Sequence, residues 1–363
     1  MRTASGENVV VVENLVKDYT VPLPPKPGFG QRLRRVFAPE KGIKRALKGI
    51  NLTVPRGQVL GFVGPNGAGK TTTIKILTGI IAPTAGNVSV LGFNPHRQRY
   101  EYTYHIGLVF GQRSLLWYDI PVIDSLKLYA EVYEVSREAF RRRLTRFAEI
   151  LGIDEFLHVP VKKLSLGQRM RAEIAASLLH DPEVLFLDEP TLGLDAVAKE
   201  EIRLFLTETN KERGTTIFLT THNMGDIEAL CDRVVIIDEG TIIYDGTTED
   251  LRNLEHEKHI DVEFLPVPGS SPLATGEAVA KSLALIQQYG VDSSQLATGR
   301  GTEARGHSLL PRKVRLRVPQ EQSLEVVSLL LALGTVRDLN VAPPSLDAII
   351  RRIYKGGLGD IVA

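Results

Sequence analysis

The sequence predicts an α/β protein with a mostly parallel sheet covered by helices, followed by a small α+β domain. Three observations point there. The runs Gln58–Val63, Ile106–Val109, Val184–Leu187, Thr216–Leu219 and Val234–Ile237 are apolar without alternation, the pattern of strands buried on both faces. Helical stretches lie between them. After about residue 255 the character changes: His259–Leu265 and Lys313–Val318 read as strands, and Glu277–Tyr289 and Glu321–Leu333 as helices. At 363 residues, the chain is long enough for a large domain of about 200 to 250 residues and a smaller second unit.

Val9–Val12 are four β-branched residues in a row and read as a first strand, with a turn expected before Tyr19. Residues 21–45 break that pattern, with Pro22, Pro24, Pro25, Pro27, Gly28 and Gly30 followed by a basic run from Arg32 to Arg45. They read as a solvated insertion, the alternative being a contact for anionic lipid headgroups or a partner chain. Residues 123–180 read mostly helical. There, Phe140, Leu144, Phe147 and Leu151 share one helix face, which leaves Arg141, Arg142, Arg143 and Arg146 for the wet side. In the C-terminal part, Asp292–His307 is rich in Gly, Ser and Thr and reads as mobile. Ser345–Lys355 reads as a last amphipathic helix.

Composition narrows the function. Apolar residues make up 43% and charged residues 24%, an ordinary globular balance. Lys plus Arg is 44 against 43 Asp plus Glu, a net charge of +1, which argues against a nucleic-acid partner. The single cysteine, Cys231, cannot form an internal disulfide and suits a reducing compartment. No run of 18 apolar residues occurs, so any membrane crossing is expected from another chain.

Gly64-Pro65-Asn66-Gly67-Ala68-Gly69-Lys70-Thr71, continued by Thr72, fits G-x-x-x-x-G-K-[ST] between a strand and a helix. Glycines let backbone N–H groups close round phosphates, and the following helix points its positive end at the anion. Lys70 would reach the β- and γ-phosphates, and the Thr71 hydroxyl would ligate Mg²⁺. A second apolar strand ends in Asp188-Glu189-Pro190. Strand ends at the carboxyl edge of such a sheet are where ligands bind. Asp188 would hold the metal and Glu189 would orient and deprotonate the attacking water. Ser165 and Gln168 fit a capping box opening a helix with Met170, Ile174 and Leu178 on one face.

With Leu164-Ser165-Leu166-Gly167-Gln168 ahead of the acidic strand, this set resembles the ABC ATPase family over roughly residues 8–250. The resemblance implies a P-loop NTPase core with an antiparallel β subdomain and a helical subdomain at about 113–180. An ATP-binding domain would then span 1–250 and an accessory domain 251–363. It implies further roles: Gln112 for the metal and the attacking water, His222 in Thr220-Thr221-His222-Asn223 as the switch histidine, and Tyr19 stacked on adenine. Ser165, Gly167, Gln168 and Asp195 would reach ATP bound to a second subunit. One departure stands out: Leu166 replaces the family's usual glycine, which puts the turnover rate in question.

The resemblance also implies partners and place. A single P-loop per chain calls for a second ATPase subunit, a copy or a paralogue. Leu115, Leu116, Trp117, Tyr118 and Ile120 would offer an integral-membrane permease an apolar and aromatic surface, so the chain would sit peripherally on the cytoplasmic face of the membrane. Ser165–Glu201 and Glu228–Asp232 most resemble prokaryotic exporter-type subunits with separate permease chains. The alternative is a soluble ABC ATPase acting on DNA or the ribosome, but no second ATPase unit or long coiled-coil insert is visible. No cargo is legible.

Overall fold

A computed structural model describes residues 7–22, 41–111, 114–254, 257–265, 288–289, 313–333 and 336–356. It divides into two compact units, Met1–Thr248 and Glu249–Ala363. In chain order the first contains β1 (Asn8–Pro22), β2 (Lys41–Pro55), β3 (Val59–Val63), α1 (Lys70–Leu77), β4 (Ala85–Val90), α2 (Arg99–Thr103) and β5 (Ile106–Phe110). It continues with α3 (Val122–Val132), α4 (Arg137–Leu151), α5 (Leu166–Ser177), β6 (Val184–Asp188), α6 (Ala196–Arg213), β7 (Thr216–Thr220), α7 (Met224–Leu230), β8 (Arg233–Asp238) and β9 (Thr241–Thr247).

The main sheet has the order β5-β6-β7-β3-β8-β9. Every neighbouring pair from β5 to β8 is parallel, and β9 closes the edge antiparallel to β8. The apolar runs are explained by burial on both faces: every residue of β3 and β7 is buried. Phe62 and Phe186 pack on Phe218 with ring centroids 5.3 and 5.8 Å away. The order places the carboxyl ends of β6, β7 and β3 side by side, and this adjacency builds the site.

A second sheet, β2-β1-β4, is antiparallel. Its strands run further than composition suggests. Val21 and Pro22 still pair with Gly42 and Lys41, so the expected insertion loses both its ends to the ladder. Proline is tolerated there because Pro22 is the strand's last residue. Residues 23–40, the body of that insertion, lie outside the described residues.

Helices α3, α4 and α5 form the helical part. Phe147 and Leu151 of α4 are buried, while Phe140 and Leu144 are half-buried. The wet side is narrower than expected: Arg141 and Arg142 are exposed, but Arg143 donates to the Leu179 carbonyl at 2.5 Å and pairs with Asp181 at 3.2 Å. Arg146 pairs with Glu212. Their long apolar stems lie along the neighbouring chain while the guanidinium finds a partner at its edge.

The second unit contains α8 (Thr248–Asn253, its first residue at the boundary), β10 (Glu257–Phe264), β11 (Lys313–Pro319), α9 (Ser323–Leu333), β12 (Val336–Ala342) and α10 (Leu346–Gly356). Its antiparallel sheet has the order β11-β10-β12. Ile260, Val262, Val314, Leu316 and Val318 share one buried face with Val326 and Leu330 of α9. On α10, Leu346, Ile349, Ile350 and Ile353 are buried, as the amphipathic pattern predicts. The expected helix Glu277–Tyr289, apart from Gln288 and Tyr289, and the segment Asp292–His307 lie outside the described residues. Among the described residues, no helix is long and apolar enough to cross a membrane.

Candidate nucleotide site

The turn after β3 is shaped by close approach. At Gly64 a side chain would collide with the Ile237 carbonyl oxygen, and Gly69 has φ +118°, a conformation that a side chain resists. Gly69 is also the N-cap of α1 and supplies no side-chain cap. The first N–H groups of α1 therefore remain available to an anion. Lys70, buried at the start of α1, donates from Nζ to the carbonyls of Gly64 at 2.6 Å and Pro65 at 3.2 Å. Burial pushes its ammonium below the usual lysine value, and the charges of Glu189 and Asp188 pull it back.

The carboxylates come from the end of β6. Asp188 accepts from the Thr71 hydroxyl at 3.2 Å and from the Thr220 hydroxyl at 2.5 Å, so it joins the ends of three neighbouring segments. Glu189 has φ +56°, a left-handed conformation costing on the order of 1 kcal/mol or more in a non-glycine residue. That turn brings its carboxylate to His222 Nδ1 at 2.6 Å. His222 itself is more than half exposed, at 56%, against 19% for Glu189.

Behind this pair lies a buried anchor. Asp226, fully buried, receives Arg203 Nε and Nη2 at 2.9 and 2.6 Å. It also accepts from the hydroxyls of Thr191 and, at 3.2 Å, Thr221. One carboxylate thus fixes the residue two beyond Glu189 and the residue before His222.

These groups surround one cavity of about 850 Å³, within the usual range for small-ligand sites. Of the residues singled out by sequence, Tyr19, Asn66, Gly67, Gly69, Lys70, Thr71, Thr72, Asp188, Glu189 and His222 line it. Gly64 and Pro65 contribute carbonyls to Lys70 behind the wall, and Ala68 is buried in the core. Lys17 Nζ lies 5.3 Å from the centre of the Tyr19 ring.

Four residues are placed elsewhere. Ser165 caps α5 through a full capping box with Gln168, and Asp195 caps α6 by accepting from Ala198 N–H at 2.9 Å. Neither these nor Gly167 is part of the cavity wall. Gln112 lies outside the described residues. Leu166 is exposed at 40%, and a Cβ at Gly193 would stand 3.0 Å from its Cδ2. The leucine therefore leans on the turn before α6.

Sequence reading missed several wall residues, among them Lys44, Ala46, Phe110 and Leu192. Lys44 pairs with Tyr19 across the β1–β2 ladder, a register that composition concealed. Thr220 carried a signal, standing two residues before His222. Asp226 carried none, because an acid in the first turn of a helix reads as an ordinary dipole partner.

Thr71 and Asp188 present oxygen donors 3.2 Å apart, a hard-ligand pair that fits Mg²⁺ bound together with phosphate oxygens.

Comparisons with known proteins identify the family. The ABC transporter family profile matches residues 47–192. The ABC transporter ATP-binding protein NatA of Bacillus subtilis (strain 168) is 31% identical over 231 residues, covering 64% of this chain and 94% of NatA. The daunorubicin resistance ATP-binding protein DrrA3 of Streptomyces coeruleorubidus is 32% identical over 284 residues, covering 72% of this chain and 89% of DrrA3. A solved dimeric ATP-binding cassette in a post-hydrolysis state with ADP and Pi is similar with a TM-score of 0.55 and 26% identity, covering 66% of this chain and 98% of that one. The chain belongs to the ATP-binding, ATP-hydrolysing subunits of the ABC transporter family.

Proposed function

We propose that this chain powers export through a separate integral-membrane permease, working as one half of a pair of ATPase subunits at the cytoplasmic face of the membrane. The observation that carries the ATPase chemistry is the 2.6 Å contact between Glu189 and His222 at the wall of the phosphate cavity. Export is supported by the likeness to DrrA3, whose name ties it to daunorubicin resistance.

The bound ATP would rest its phosphates on the N–H groups of Gly67 to Thr72, with Lys70 released from its carbonyls to the β- and γ-phosphates. Tyr19 would pack on the base. Thr71 and Asp188, with Gln112, would hold Mg²⁺, which neutralises charge developing on the phosphates. Glu189 would take the proton of the attacking water, and His222 would hold the glutamate in place and face the γ-phosphate.

The second half of the site comes from the partner subunit. Ser165 Oγ already accepts from Gln168 N–H at 3.2 Å, which leaves its own proton free to donate to an anion. The exposed N-terminal end of α5, with Gly167 and Gln168, would meet the γ-phosphate bound by the other subunit, and Asp195 would line the same junction. ATP bridges the two halves; hydrolysis removes the bridge. The permease would dock on the face of Trp117 and Tyr118, which are 46% and 58% exposed, since aromatic side chains make good interface anchors.

Glu189→Gln tests this. It should lower phosphate release by about a hundredfold or more and let an ATP-bound dimer accumulate in light scattering. Unchanged turnover would refute Glu189 as the base.

A further inference from the structure

Glu173 lies on α5, the helix that Ser165 caps, and is only 3% exposed. Burying a carboxylate is costly unless its oxygens are bonded. Here both are, and both to one short segment. One oxygen accepts from Leu115 N–H at 2.7 Å, and the other from the Ser114 hydroxyl. Ser114 Oγ in turn accepts from Leu116 N–H at 3.1 Å. Helix α3 adds further ties. Tyr129 donates to the Leu115 carbonyl at 2.7 Å, and Trp117 N–H donates to Ser125 Oγ at 3.2 Å. The Trp117 ring lies 5.3 Å from that of Tyr129.

The exposed aromatic face at Trp117–Tyr118 is therefore carried by a segment whose main chain is tied through side chains to two helices. Among the side-chain ties of the described residues, Glu173 leads to the helix whose far end is offered to a nucleotide, while the Tyr118 carbonyl accepts from Lys162 N–H at 3.0 Å, in the turn ahead of Ser165. Breaking either bond would leave a buried carboxylate oxygen unpaired, so these two hydrogen bonds resist movement of the segment against α5. Burial pushes the Glu173 carboxyl up, opposed by its bonds to Ser114 and Leu115.

We infer that Glu173 is a positioning residue that couples the nucleotide state at the N-terminal end of α5 to the Trp117–Tyr118 face. This rests on the reading that ATP on a second subunit meets Ser165.

Trp117 is the chain's single tryptophan, so its emission reports this face alone. The full chain carrying Glu189→Gln, titrated with ATP and Mg²⁺, should change its tryptophan emission in step with dimer formation followed by light scattering in the same sample. Adding Glu173→Ala should cut the emission amplitude about threefold or more, within the range that packed networks carry, while the dimerisation midpoint shifts by less. Glu173→Gln, which keeps an acceptor for Leu115, should restore most of the amplitude. Full amplitude in a dimerising Glu173→Ala protein would overturn the inference. Should that variant fail to fold, Ser114→Ala removes one of the two bonds at an exposed residue and must still lower the amplitude; an unchanged response overturns the coupling. A dimer with silent Trp117 sinks the inference alone, whereas no dimer at all sinks the reading beneath it.

Discussion

Two parts of the ATP-binding unit carry helix N-termini suited to phosphate, and they are finished differently. At α1 the N-cap is Gly69, with no side chain to occupy the first-turn N–H groups. At α5 and α6 the caps are Ser165 and Asp195, each already bonded to its own helix. The first end sits inside a cavity with Lys70, Asp188, Glu189 and His222. The others lie outside it, bonded within their own helices. In the proposed two-subunit site, binding and complementing are separate tasks. An end that holds polyphosphate is left bare and strained, while an end that would only meet a phosphate held elsewhere can be stable in advance.

The contrast can be broken most forcefully at the anchor behind the first half. Asp226→Ala would leave the Arg203 guanidinium, 19% exposed, with Glu200 at 3.7 Å as its acidic partner among the described residues. Removing one member of a buried pair costs about 3–5 kcal/mol. Thermal unfolding should register that loss, and kcat should fall with it because Thr191 and Thr221 lose their shared acceptor.

An acid titration sharpens the other half. Burial pushes His180, just beyond α5, down to about 4, although its ring nitrogen bonds the Ile106 carbonyl at 2.8 Å. Between the ordinary histidine value and about 4 the unfolded chain binds a proton there that the folded chain does not. Stability must therefore fall as pH drops through that window, by on the order of 3 kcal/mol when complete. His180→Gln should flatten this part of the pH profile of the unfolding midpoint.

The smallest expected effect is at the Ser165 cap. Ser165→Ala should cost about 1 kcal/mol of stability and leave binding of a fluorescent ATP analogue by the isolated subunit unchanged, while weakening ATP-dependent pairing. Loss of analogue binding at the subunit's own cavity would erase the distinction between the halves.

The same contrast explains what was legible. The parallel strands were readable because burial on both faces makes Val184–Leu187 and Thr216–Leu219 continuously apolar. The cradle was readable because Gly64, Gly69 and Lys70 each answer a local demand of the backbone or the anion. The outer half of β1 and the start of β2 were not, because proline and basic residues mask a ladder held by long-range pairing of Tyr19 with Lys44. β12 was hidden because its residues are all exposed or half-buried and show no apolar run. Arg143 looked wet because composition cannot show a guanidinium reaching the Leu179 carbonyl. Asp226 and Glu173 escaped for the same reason: their partners lie tens of residues away in sequence.

The most direct measurement mixes two inactive proteins. One carries Lys70→Ala, which spoils its own cradle; the other carries Gly167→Asp, which spoils only the end it offers to a partner. If each site is built from two subunits, the mixture contains dimers with one intact site, and phosphate release should return although each parent is inactive. A mixture as inactive as its parents, under conditions where the two chains pair, would contradict a site shared between subunits.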